Sequence, residues 1–321
     1  MRTLPVLIII LFLASLSYLI LISRFSPTSG PSLAPQNPTG DGKILLARGF
    51  MLWYREFGRD TGKPPVIVLH GGPAQSSMIL REPFRFLEAD HRVIYYDRRG
   101  SGNSEAKPTL ADYTVGQLVW ELEAVRLLIA KSDTVILLAH EFGGALALWY
   151  ALDYQGEVER MILLSPLPPD GYRVRSLGEL YSEFTDAIAA AGIPPTNPSD
   201  ADAWQHRYES RIATDLLADK SKAPLLGSLG GRFATSRALA ASLTAVNRDE
   251  RRNFNSLGTK TLIVYGTRES RYTREEYQTE LHATLMNSKL VKIAGAGHWT
   301  FLDQPVLVER AISAFLAEPK Y

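Results

Sequence analysis

The chain has 321 residues, 45% of them hydrophobic, with 35 Lys and Arg against 34 Asp and Glu for a net charge of +1. That is enough apolar material for one large α/β domain with an insertion, or for two small domains. The balanced charge, with no basic run, speaks against a nucleic-acid partner, and the absence of cysteine removes disulfides, Cys-ligated metals and a thiol nucleophile.

Residues 4–22 carry no charge and lie between Arg2 and Arg24. At about 1.5 Å per residue a helix of this length spans roughly 28 Å, close to the ~30 Å of a bilayer's hydrocarbon. The expectation is an uncleaved signal anchor over residues 1–24. The run is long for a cleaved signal peptide, and no A-x-A site follows it. The positive-inside rule puts the body on the extracytoplasmic side, which in a bacterium means a single-pass protein of the inner membrane. Residues 25–41 are rich in Pro, Ser and Gly and read as a tether.

From residue 42 strand-like and helix-like runs alternate. Strands are expected at 43–48, 51–57, 65–70, 92–97, 134–139, 160–165, 260–266 and 289–294, several of them apolar throughout, as in a parallel sheet covered on both faces. Helices are expected at about 115–131, 143–154, 273–285 and 305–317. Residues 167–257 break this rhythm with three helical segments and no buried strand, and read as a helical cap inserted into a core of 42–166 and 258–321. An alternating α/β sheet places its chemistry at the carboxyl ends of the strands.

Four such ends carry unusual residues. His70-Gly71-Gly72-Pro73 is a glycine turn whose N–H groups can face a cavity. Asp97-Arg98-Arg99-Gly100-Ser101-Gly102-Asn103-Ser104 reads as a structural staple of loops. Residues 134–148 form a strand, a tight turn and a helix, with Ala139 and Gly143 two residues either side of Glu141, the spacing of a nucleophile elbow. The late loops supply Glu269, three residues after Gly266, and His298, in a Gly-rich loop before the last helix. A histidine there suits a general base, and a carboxylate at 269 can orient it.

Taken together, these motifs resemble the α/β-hydrolase fold and, within it, the proline iminopeptidase-like branch, over about residues 43–318. The resemblance implies a mostly parallel eight-stranded sheet flanked by helices and oxyanion donors at the Gly72 and Phe142 backbone. It also implies a catalytic group of residue 141, His298 and Glu269, a small-molecule substrate and no cofactor. Substrate contacts are expected from His70, Gly71, His140 and Trp299, and from the cap tyrosines Tyr172, Tyr181 and Tyr208. With Trp204 and Phe184 these suggest a partly apolar pocket.

The departure is at the tip. The family has Ser at the elbow, and its epoxide hydrolase and haloalkane dehalogenase cousins have Asp; here residue 141 is Glu. Three readings follow. Glu141 is a carboxylate nucleophile that forms an ester later hydrolysed by water from His298, suiting an epoxide or activated ester. Alternatively it moves a proton without covalent catalysis. Or the site is inactive as a hydrolase and binds a ligand or partner. The sequence gives no oligomeric state.

Overall fold

Runs such as Val66–Leu69 (Val-Ile-Val-Leu) and Val93–Tyr96 (Val-Ile-Tyr-Tyr) are buried at every position. With no polar face to offer water, such strands need cover on both sides. The computed structural model describes residues 42–47, 50–72, 75–106, 113–167, 213–226, 254–269 and 273–320, with Asn197, Ala203 and Ser210. In it eight strands form one sheet: β1 (Lys43–Ala47), β2 (Phe50–Phe57), β3 (Val66–Leu69), β4 (Val93–Tyr96), β5 (Val135–His140), β6 (Val158–Leu164), β7 (Lys260–Gly266) and β8 (Ser288–Ile293), in the order β1-β2-β4-β3-β5-β6-β7-β8. Only β2 runs against the rest, pairing antiparallel with β1 and β4; all other pairs are parallel.

The two-residue period of a strand divides the side chains between two cores. Ile67, Leu69, Leu137, Ala139 and Leu163 enter one, while Val66, Val68, Ile136, Leu138 and Ile162 enter the other. On the first pack α1 (Val115–Val125), whose N-cap Thr114 accepts from Gln117 N–H, and α2 (Phe142–Asp153). Residues 142–151 of α2 are all buried, which explains a helix apolar all round. Leu281 of α3 (Glu275–Thr284) joins the same core, and α4 (Pro305–Leu316) covers the other through Val308, Ile312 and Phe315.

All eight expected strands form, but those expected at 65–70 and 92–97 stop short of His70 and Asp97, whose side chains bond loop backbone. The helix expected to 131 leaves α-geometry at Arg126, continues as a π turn to Ala130 and stops at Lys131, which has φ 49°. Helical turns at Ser77–Ala89, Lys220–Leu226 and Thr300–Asp303 were not expected from apolar periodicity. The expected anchor, the tether and most of the cap, with Tyr172, Tyr181, Phe184, Trp204 and Tyr208, lie outside the described residues; among those described, no helix is long and apolar enough to cross a membrane.

Candidate active site

Glu141 joins β5 to α2 with φ 50° and ψ −114°, a conformation a non-glycine residue rarely adopts. Such a residue costs about 1–3 kcal/mol and persists only when its surroundings over-determine it. Three backbone bonds do so here: Glu141 N–H donates to Leu164 O (3.1 Å), and Glu141 O accepts from Gly144 N–H (2.9 Å) and Leu167 N–H (3.0 Å). The small residues expected at the elbow have a direct cause. A Cβ on Gly143 would fall on the carbonyl oxygen of Leu69 and lie 2.8 Å from that of His70. Gly143→Ala is therefore expected to destabilise the fold by about 1–3 kcal/mol, because neither carbonyl can move without pulling on β3. A denaturant midpoint unchanged from the parent would contradict this.

The Glu141 side chain folds across the glycine turn after β3. Gly72, at φ 52°, donates its N–H to Glu141 Oε2. The approach is so close that a Cβ on Gly71 would lie 2.6 Å from that oxygen. Phe142 begins α2, where first-turn N–H groups have no helical acceptor. Among the described residues no hydrogen bond or ion pair links the Glu141 carboxylate to His298 or to any arginine.

Beneath the turn lies Arg98, 2% exposed. Its guanidinium donates to His70 O, to Gly71 O (3.1 Å) and to Gly72 O (2.7 Å), and lies 4.9 Å from the centre of the Phe142 ring. His70 Nε2 accepts from Arg98 N–H (3.1 Å), so Nδ1 carries the proton and donates to Gly71 O (2.9 Å). Burial, then the Arg98 charge, push the His70 pKa well below the ordinary imidazole value. His70 is thus a neutral strut of the turn, with both nitrogens engaged, and not the substrate contact expected. Asp97 behaves as the expected staple, accepting from Ser77 N–H (2.7 Å), Ser77 Oγ (2.9 Å) and Asn103 N–H (2.9 Å).

On the other side stand Glu269, after β7, and His298, after β8, their side chains each 4% exposed and His298 Nδ1 3.4 Å from Glu269 Oε2. Glu269 Oε1 accepts from Ser165 Oγ and from Gly266 N–H (3.2 Å); Oε2 accepts from Thr273 Oγ1. Burial alone would lower the His298 pKa, but the bond to Glu269 and the charges of Glu269 and Glu141 outweigh it and raise it. Burial would likewise raise the Glu269 carboxyl, but His298, Ser165 and Thr273 hold it below its ordinary value. With Nδ1 turned to the carboxylate, Nε2 is the nitrogen left to take a proton.

A base works neutral. Activity is therefore expected to be lost as pH falls through a value above the ordinary imidazole pKa of about 6.5. Glu269→Gln should move this acidic limb down, and a pH–rate profile tests it. The stability term runs oppositely: a raised histidine pKa stabilises the fold below about 6.5, and this is lost as pH rises through the folded value.

His140 and Trp299 are buried beside the pair. The His140 ring lies 4.7 Å from that of His298 and 4.8 Å from that of Trp299. Burial pushes its pKa well down. Trp299 Nε1 donates to Ala213 O (3.0 Å), tying the His298 loop to the segment at 213–226. Ser165, Thr273 and the depth of Arg98 were not legible in advance. Ser165, at φ 41°, directly follows β6, and Thr273 sits in a charged run. Among the described residues no group of three or more His, Cys, Asp or Glu could hold a metal ion.

The profile of the alpha/beta hydrolase fold matches residues 64–305. The chain belongs to this family. Within the α/β-hydrolases it falls in the proline iminopeptidase-like branch. It is 26% identical over 292 residues to the proline iminopeptidase of Thermoplasma volcanium, covering 86% of this chain and 96% of that one. It is 32% identical over 138 residues to that of Saccharolobus solfataricus, a match covering 43% of this chain and 44% of the relative. Among solved structures, a thermophilic esterase from Thermogutta terrifontis superposes with a TM-score of 0.68 at 18% identity, over 86% of this chain and 98% of that one. The chain is thus a hydrolase-superfamily protein that carries Glu where the elbow usually presents Ser.

Proposed function

We propose that the protein hydrolyses a small, partly apolar substrate through an ester formed on Glu141. The observation that carries this reading is the bond from Gly72 N–H to Glu141 Oε2. A carboxylate nucleophile needs one oxygen to attack and the other in the oxyanion hole, because the second becomes the oxyanion when water adds to the ester. With Oε2 on Gly72, Oε1 is the attacking atom.

An epoxide suits this chemistry best. Oε1 bonds to a ring carbon while that carbon's bond to the ring oxygen breaks, and the departing alkoxide takes a proton from an acid. Of the candidates, Tyr172, Tyr181 and Tyr208 lie outside the described residues. His298 Nε2 then takes a proton from water and hydroxide adds to the ester carbonyl; the adduct collapses, its own proton leaving with the alkoxide as the diol and restoring the carboxylate, and the imidazolium returns its proton to the spent acid. An activated ester is the second substrate class: attack on its carbonyl expels the alcohol and leaves a mixed anhydride on Glu141, which water activated by His298 hydrolyses. Anchoring by residues 1–24, with the body outside the cytoplasm, belongs to the same proposal and rests on the uncharged run at 4–22; carbonate extraction of membranes tests it.

The test of the chemistry is a trap. In His298→Ala the covalent adduct should form but not turn over, so incubation with a library should add the whole substrate mass for an epoxide and the acyl mass alone for an ester, each mapped by peptide sequencing to Glu141. If a compound is turned over by the parent yet leaves no adduct in the variant, covalent catalysis is wrong. A site that only binds gives equal signals for parent and His298→Ala on every compound.

A further inference from the structure

We propose that Thr273 is a positioning residue whose hydroxyl couples Glu269 to His298, so that the carboxylate orients the imidazole through an intervening O–H as well as by direct approach. This rests on His298 being the base. The argument is one of hydrogen counting. Thr273 Oγ1 has a single proton and lies within hydrogen-bond reach of both Glu269 Oε2 and His298 Nδ1, the latter at 3.1 Å. The carboxylate only accepts, so the hydroxyl proton goes to it. The hydroxyl lone pair is then left for Nδ1–H. By contrast, the direct contact from Nδ1 to Glu269 Oε2 is 3.4 Å, outside the usual ~2.7–3.2 Å of an N–H···O bond.

The surroundings hold this arrangement. Thr273 is fully buried, so water cannot stand in for its hydroxyl. Gln278 of α3, also fully buried, donates through Nε2 to Thr273 O (3.3 Å) and to Pro166 O (3.1 Å). One amide thereby ties the Thr273 loop to the residue after Ser165, whose hydroxyl holds the other oxygen of Glu269. Each carboxylate oxygen receives one hydroxyl, from opposite sides of the site. Among the described residues the charged or titratable groups facing His298 are Glu269 from the loop after β7, Glu141 from the elbow and His140 from β5.

The readout is the titration of His298 itself, followed by NMR of the protein labelled with 13C-histidine and assigned by His298→Asn. It needs no substrate. Thr273→Val should lower the His298 midpoint by about one pH unit, the worth of one hydrogen bond to the charged form. Thr273→Ser, which keeps the hydroxyl, should hold the parental midpoint. If the valine variant does not fold, Thr273→Ala removes the same oxygen without adding bulk. A parental midpoint in the valine or alanine variant overturns the proposal, and so does a serine variant that titrates like valine. Failure here would leave the Glu141 adduct untouched, and failure of the adduct would leave this titration untouched.

Discussion

Glu141→Gln is expected to lower kcat by roughly 10⁴-fold or more, the scale on which removal of a nucleophile acts. The substitution isolates the chemistry because it changes little else. The amide keeps the length and volume of the side chain, and its oxygen can still accept from Gly72 N–H. The backbone bonds that hold residue 141 at φ 50° involve no side-chain atom. The melting temperature should therefore stay near the parent's while turnover disappears, because a neutral amide oxygen is a poor nucleophile and a poor base. Glu141→Asp separates the two catalytic uses. It withdraws the carboxylate by one methylene from the oxyanion turn, and a misplacement of about 1 Å costs about 10²-fold in a step that depends on alignment. Glu141→Ser asks a different question: it vacates Gly72 N–H for a substrate's carbonyl oxygen. New activity on acyl esters would show the Gly72 turn and His298 competent for serine chemistry, with the tip alone setting the reaction. Parental turnover by Glu141→Gln on any substrate would remove this carboxylate from the mechanism.

The fold was legible because its central strands β3, β4 and β5 are apolar at nearly every position and the site loops follow such strands directly. The elbow was legible for a similar reason: Gly143 is required by the approach of Leu69 O and His70 O, a constraint that leaves a glycine in the sequence. What the sequence could not carry was the direction of side chains. His70, taken for a substrate contact, spends one nitrogen on its own turn and the other on the Arg98 N–H of the loop after β4. The methylene that sets Glu apart from Asp could be named as an overshoot. Its destination, the Gly72 N–H, depends on a turn 69 residues away in the chain. Ser165 and Thr273 left no signal because a single hydroxyl has no periodicity and no spacing rule. Only the pairing of β6 with β7, and the return of the loop after β7, gives those two side chains a shared acceptor.

Arg98→Leu is expected to destabilise the protein by about 3–5 kcal/mol, the usual cost of breaking a buried charged network by removing one partner. The guanidinium is the donor for three consecutive carbonyls, His70 O, Gly71 O and Gly72 O, which Leu leaves inside without it. Each unsatisfied carbonyl costs about 1–3 kcal/mol, but the three do not simply add, because relief from burying the guanidinium offsets part of the loss. A second effect falls on the site. The Glu141 carboxylate lies close enough to favour the charged form of Arg98, so without the arginine it loses a cation beneath the turn. The turn that aims Gly72 N–H would be loosened at the same time. The variant should therefore show a lower denaturant midpoint at unchanged slope and, where folded, a fall in kcat larger than any rise in KM. Arg98→Lys should fall between, because a single ammonium can reach one or two of the carbonyls but cannot span all three as the planar fork does. If Arg98→Leu loses less than about 1 kcal/mol, the range expected of an ordinary surface change, then the three bonds do not hold the turn. The position of Gly72 N–H would then have to come from its own φ of 52° and from the elbow alone.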